Sequence, residues 1–473
     1  MTAQRQIHIN AFYMASPTQS WAGMWPHPKS TGANYNKLEF WTDLARQAEA
    51  GLLDCIFIAD ALGVPDVFGG SPDAAIRSGA HFPANDPMLL IPVMAAVTRH
   101  LTFGVTGNTS YEPPYLLARR LSTLDQLTEG RLAWNVVTGA MPATARAMGL
   151  GEMASHDARY DVADEFMDLV YKLWEASWED GAAIRDRANG IFSDPAKIHA
   201  IHHRSEHFAC DGIHLCEPSP QRTPLLFSAG ASARGVAFAG KHAECSFMST
   251  NSIDFAAKVT KRYREAAVAA GRTAQSIKVF NATTVVVGET EDEARDRVRE
   301  YQRYTSEEGN LAIFSVWLGE DLSRYDPDAP IDVVKNNAVQ SIADSMRATG
   351  DMGKVTLRDL ARFANVGGRE AFVVGSPDQV CDTLLRWRDE ADIDGFNLVR
   401  TVEPGNLQNF IDLVVPRLQE RGAYKTTYAE GTMREQLYPD VGARLPADHY
   451  GARFRANASS PVREQHKTAV GVG

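Results

Sequence analysis

Strand-like and helix-like segments alternate eight times along this chain, and few architectures accept that order. IHINAFYM (7–14) alternates apolar and polar residues as a half-buried strand does, and FWTDLARQAEAGL (40–52) carries helical spacing. Seven more segments read as strands: DCIFIAD (54–60), LTFGVTGNT (101–109), RLAWNVVTG (131–139), PLLFSAG (224–230), ECSFMST (244–250), IKVFNATTVVVG (277–288) and GFNLVR (395–400). A helical pattern follows each. The one after the fourth strand sets Val162, Phe166, Leu169 and Leu173 on one face, with Ser155 or Asp157 placed to cap it. Thr290 and Glu293 have the spacing of a capping box. Eight such units predict an α/β protein with the (β/α)8 TIM-barrel fold. A doubly wound sheet would call for G-x-G-x-x-G after the first strand, and that motif is absent.

Two stretches break the rhythm, about 178–222 and 306–370, and read as insertions within a single barrel domain over 1–422. Residues 423–473 are rich in Gly, Pro, Arg and Tyr and read as an extended arm, a strap for a neighbouring copy. Its end, HKTAVGVG, is expected to be disordered.

A net charge of -11 argues against nucleic acid or an anionic membrane as partner. The longest apolar run, PMLLIPVMAAV (87–97), is too short to span a bilayer. The start, MTAQRQIHINAF, carries no apolar signal core. Five scattered cysteines do not make a disulfide framework, which points to a reducing, cytoplasmic setting.

In a barrel the chemistry gathers at the C-terminal ends of the strands. The first strand leads into a loop with Ser16, Gln19, Trp25 and His27; the second ends at Asp60; the third carries Thr106 and Asn108; the fourth carries Asn135; the eighth ends at Asn397 and Arg400. After the fifth comes AGASARG (229–235). A Gly-Ala-Ser turn opening a helix exposes backbone N–H groups and suits a phosphate; it equally suits an ordinary Ser232 cap over a tight turn. His156, Arg159 and Tyr160 open the helix after strand four, where an anion is favoured or where a solvated ion pair would sit. The histidines and cysteines of 199–216 match no regular zinc spacing, and no metal site is assigned. Neither a G-x-S-x-G elbow nor a Walker loop is found.

GRLAWNVVTG (130–139), SHDARYDVADEF (155–166), EPSPQRTPLLFSAGAS (217–232) and DGFNLV (394–399) strongly resemble the two-component FMN-dependent monooxygenases of the bacterial-luciferase-like superfamily. The resemblance is to the branch of long-chain alkane, dimethyl sulfide, nitrilotriacetate and dibenzothiophene sulfone monooxygenases. It runs from about residue 7 to about 455 and weakens over 306–370. It implies a (β/α)8 barrel, reduced FMN delivered by a separate NAD(P)H:FMN reductase, and O2 used through a flavin C4a-(hydro)peroxide. It implies that Asp60, Thr106, Asn135, His156, Tyr160 and Ser232 contact the flavin, and a homodimer or homotetramer. The same superfamily contains F420-dependent oxidoreductases and non-catalytic flavin-binding subunits, which stand as the alternatives.

A dry pocket is what such chemistry requires. Ser16, Trp25, Phe68, Ile313, Phe314 and Trp317 are the candidate substrate walls, with plain packing as the other reading of each. They favour a small apolar, organosulfur or halogenated substrate over a polyanion. Where the alkane enzyme carries Cys and His residues around its pocket, this chain has Ser16, Gln19 and Ala140, with Ile313 in place of a further His. His27, shared by the branch, and His81, peculiar to this chain, are the catalytic candidates, since a histidine titrates near neutrality.

Overall fold

The computed structural model describes residues 5–331, 334, 355–363, 366–367 and 370–455. Eight parallel strands close on themselves: β1 (His8–Met14), β2 (Cys55–Ala59), β3 (Thr102–Asn108), β4 (Leu132–Val137), β5 (Leu225–Ala229), β6 (Cys245–Met248), β7 (Lys278–Val287) and β8 (Gly395–Val399). Each pairs with its neighbours in sequence, and β8 returns to β1 with Asn10 opposite Asn397. Helices cover the outside, so the expected (β/α)8 barrel is the fold.

Strand alternation decides what fills the barrel. Phe12, Phe57, Phe227 and Phe280 point inward and meet edge to face or tilted, with ring centroids 5.1–5.7 Å apart. Gly104 makes room for them: a Cβ there would lie 2.5 Å from the Phe57 ring. One layer up, towards the C-terminal ends, the lining turns polar, with Thr106 and Asn135 both buried. The aromatic layer is thus a floor, and the polar layer faces the open mouth.

A ninth parallel strand, Ala371–Gly375, lies outside the barrel. β7 pairs with β8 through Phe280–Thr283, then leaves the wall and pairs with Ala371–Gly375 through Thr283–Val287. The 178–222 stretch holds two small antiparallel pairs, Ala183–Asp186 with Ile191–Ser193 and Ile201–Arg204 with Ala209–Gly212. The 306–370 stretch holds the helices Glu307–Leu318 and Leu357–Phe363, and much of it lies outside the described residues.

Residues 423–455 pack on their own barrel at its N-terminal end. Met433 and Leu437 join the interior apolar cluster. The Arg434 guanidinium, fully buried, forms a two-pronged pair with Glu244 at 2.6 and 2.9 Å. Tyr424 and Tyr428 donate to the carbonyls of Leu52 and Leu53, each at 2.7 Å. The expectation for the final residues falls outside the described part of the chain. Among the described residues no helix is long and apolar enough to cross a membrane.

Thr290 caps its helix, accepting from the Glu293 N–H at 3.2 Å, while the Glu293 carboxylate takes the N–H of Glu289. Ser155 holds the N-cap position of His156–Tyr171, but its side chain makes no capping bond. That helix start keeps its N–H groups uncapped by Ser155.

Candidate active site

Two helix N-termini converge above β4 and β5. The His156–Tyr171 helix brings His156, and the Ala233–His242 helix brings Ser232 at its cap; His156 Nε2 and Ser232 Oγ stand 3.3 Å apart. Ser232 Oγ accepts from the Gly235 N–H at 3.0 Å. Tyr160, buried beneath, carries the Arg234 guanidinium over its ring at 5.5 Å and packs against Phe238. Burial raises the Tyr160 phenol above its ordinary pKa, so it is neutral and able to donate. Gly230 and Gly235 allow this closeness. A Cβ would sit 2.9 or 2.7 Å from the Tyr160 hydroxyl, and Gly230 has φ +153°. The Arg234 guanidinium is itself paired with Asp161 at 3.0 Å and Asp164 at 2.6 Å, so the two helix N-termini and the phenol are the features here that suit an anion.

The second part of the site lies at the ends of β2–β4. A cavity of about 420 Å³ is lined by Asp60, Leu62, Val64, His81, Phe82, Met88 and Thr106, among others. Thr106 Oγ1 donates to the Ile58 carbonyl and accepts from Asn135 Nδ2, both at 3.0 Å. That fixes the Asn135 amide with its Oδ1 buried and without a partner. Such an acceptor is costly unless a ligand donor meets it. Burial raises the Asp60 carboxyl to about 6, helped by the nearby Asp86 and Glu112 carboxylates and opposed by the Ala61 N–H.

The remaining candidates divide. Ser16 is fully buried and its Oγ has no partner. His81 lines the cavity; its Nε2 donates to the Gln19 carbonyl, its N–H donates to Thr18 Oγ1 at 3.0 Å, and its ring lies 6.1 Å from Trp317. His27 is set elsewhere. Its Nδ1 accepts from the Lys29 N–H at 3.2 Å and its Nε2 donates to Glu300 at 3.1 Å, so both ring nitrogens are committed. Trp25 is 39% exposed and donates to the Ser78 carbonyl. Ile313 and Trp317 pack with Ala22, Ala75, Ala80 and Val64, against the cavity's Val64 wall. Phe68 and Phe314 pack with Leu322 and Leu360 in an apolar cluster that Trp317 joins to the first, its ring centroid 5.6 Å from that of Phe314.

The sequence reading did not single out Arg234, Met88, Glu112 or Arg120 for the site. Only the AGASARG stretch held a signal for the first. Glu112 and Arg120 pair with each other at 2.6 Å on the cavity rim, a contact between a loop and the second turn of the next helix that no motif marks. The histidines of 199–216 go to separate partners: His199 to Glu179, His202 to Asp211, His207 to Glu165 and His214 to Ser122.

An oxidoreductase site at the C-terminal face of this barrel agrees with what the chain matches. The model of the luciferase-like monooxygenase family matches residues 16–392, and the chain belongs to that family. It is 43% identical to the dimethyl-sulfide monooxygenase of Hyphomicrobium sulfonivorans, over 98% of this chain and 100% of that protein. The crystal structure of DmoA from the same organism superposes with a TM-score of 0.92, covering 96% of both chains at 44% identity. The long-chain alkane monooxygenase of Geobacillus thermodenitrificans is 44% identical over 97% of this chain and 100% of that protein. The protein is therefore an enzyme, a monooxygenase of the luciferase-like kind.

The raised Asp60 carboxyl has a consequence for stability. The folded protein holds this proton more tightly than the unfolded chain does, so the contribution is complete below the ordinary carboxyl pKa. It is lost as pH rises through about 6. Relative to Asp60→Asn, the wild type is expected to lose stability between about pH 4 and pH 6 and to show a constant difference above pH 7. Urea unfolding midpoints of the two apoproteins across that range measure it; a flat difference would mean that the Asp60 carboxyl is not raised in the folded protein.

Proposed function

We propose that this enzyme is the oxygenating component of a two-component system. It takes reduced FMN from a separate NAD(P)H:FMN reductase and uses O2 to oxygenate a small apolar, organosulfur or halogenated compound in the cytoplasm. The observation that carries this reading is the meeting of His156, Tyr160 and Ser232 at two helix starts, one barrel strand away from the orphaned Asn135 carbonyl. The residues fit a flavin mononucleotide: an anion site for its phosphate and a fixed amide acceptor for a ring N–H.

Bound reduced FMN would supply the electrons that activate O2. The chain's own residues do the rest. Ser232, His156 and the N–H groups of the Ala233–His242 helix hold the phosphate. Asn135, locked by Thr106, orients the ring system, and Asp60 stands beside it at the end of β2. Val64, backed by Ile313 and Trp317, keeps water from that side. His81, on the cavity wall, is the group placed to hold or move a proton there. His27, with both nitrogens committed, shapes the loop that follows β1.

The cavity chemistry narrows the substrate. Three carboxylates, Asp60, Asp86 and Glu112, line it, and its Arg120 is already paired with Glu112. A polyanion would be repelled; Leu62, Val64, Phe82, Met88 and Met148 favour an apolar or sulfur-bearing molecule. The full chain, fed by a flavin reductase under 18O2, is offered dimethyl sulfide, alkanes and haloaromatics in turn. One 18O atom in the product of at least one is expected. Absence of product across the panel, with turnover on F420 instead, would replace this reading by hydride transfer.

A further inference from the structure

A carboxylate stands where an anion site should avoid one. Asp157 is the second residue of the His156–Tyr171 helix, in the turn that faces the proposed phosphate. The next acids along this helix are engaged elsewhere. Asp161 pairs with Arg234, Asp164 with Arg234, Lys241 and His242, and Glu165 with His207. Asp157 turns instead to the residue before it, with Oδ1 2.6 Å from His156 Nδ1.

The two side chains are 48% and 76% exposed, so the pair adds little to stability. Its effect is directional. The carboxylate holds Nδ1, and the ring stands edge to face on Tyr160 with centroids 5.2 Å apart. Nε2 is thereby left 3.3 Å from Ser232 Oγ, which takes the Gly235 N–H at 3.0 Å. A chain of groups runs from the Asp157 carboxylate, through imidazole and hydroxyl, to the first turn of the second helix. The bond at one imidazole nitrogen sets what the other can do, and a ring flanked by a carboxylate and a phosphate donates from both.

We propose that Asp157 is a positioning residue, which acts through His156 and fixes the imidazole so that Nε2–H meets the flavin phosphate. The inference rests on the proposed phosphate site at these two helix starts. Two effects of the carboxylate oppose each other. Its charge repels a phosphate, and its grip on Nδ1 aims a charge-assisted donor at one. The repulsion comes from an exposed group and is screened by water and salt. The donor acts in contact, so it prevails.

Anaerobic titration of the full chain with reduced FMN and with reduced riboflavin tests this. Asp157→Ala is expected to weaken FMN binding by about tenfold, the scale of one charge-assisted hydrogen bond, and to leave riboflavin binding unchanged. Asp157→Asn keeps an acceptor for Nδ1–H and should lose less. In a His156→Ala background, Asp157→Ala should move FMN affinity by no more than about twofold, since the group it acts through is gone. An acid that served only the helix dipole predicts the opposite sign, tighter FMN binding once its charge is removed. Unchanged or tighter FMN binding in Asp157→Ala, the full loss in the His156→Ala background, or an equal loss for riboflavin would overturn the proposal. A wild type that binds the two flavins alike would overturn the phosphate reading itself, and this role with it.

Discussion

Gly235→Val is expected to weaken reduced-FMN binding by at least 100-fold while leaving the barrel folded. The position sits in the first turn of the Ala233–His242 helix, where valine is tolerated by the backbone. The obstacle is ahead of it. A Cβ lies 2.7 Å from the Tyr160 hydroxyl and 3.1 Å from both Ser232 Oγ and the Gly230 carbonyl. Tyr160 is buried against Phe238 and cannot swing away cheaply, so the added carbons push apart the groups that frame the anion site. Anaerobic titration with reduced FMN and with reduced riboflavin separates the causes. Loss confined to FMN places the phosphate here; equal loss for both would mean a general collapse of the mouth, and no loss for either would remove the phosphate from these helix starts.

Glu244→Ala is expected to cost about 3–5 kcal/mol, because it leaves the Arg434 guanidinium charged, buried and without its counter-ion. The partner contacts of Arg434 with the Thr223 and Ala443 carbonyls remain, but neither neutralises it. The double replacement Glu244→Leu with Arg434→Met should recover much of the loss, since a buried ion pair often exchanges for apolar packing at little net cost. Chemical unfolding midpoints measure both. Limited proteolysis gives a second reading, as the single variant should expose the 423–455 segment to cleavage before the barrel opens. A wild-type midpoint and an uncut arm in Glu244→Ala would show that the pair does not hold the arm.

The eight barrel strands were legible because each is a short apolar or alternating run with a helical pattern behind it. The pairing of Ala371–Gly375 was not, since its partner is the outer half of β7 and nothing local marks where a long strand leaves the wall. The pairs within 178–222 were hidden for another reason. Segments such as AIRD and IFS bury little and carry no alternation strong enough to separate them from loop. The anion site was readable in SHDARYDVADEF and AGASARG as two halves, and only the fold joins residues 76 positions apart. The committed nitrogens of His27 depend on Glu300, 273 residues away, which no spacing argument reaches. Phe68 and Phe314 show the same limit from the apolar side. A sequence marks them as buried, and burial in a local core or on a pocket wall looks alike until the neighbours are known.

The departure of β7 from the wall matters beyond topology. Residues 288–370 leave the sheet from one strand and re-enter it on the strand hydrogen-bonded to it, so the segment begins and ends at a single seam. Its closure is secured by that ladder whatever its length, and lengthening such a tethered loop costs little entropy. The part of the chain that carries Ile313 and Trp317 can therefore be exchanged like a cartridge, while Thr106, Asn135 and the helix starts stay where the barrel holds them.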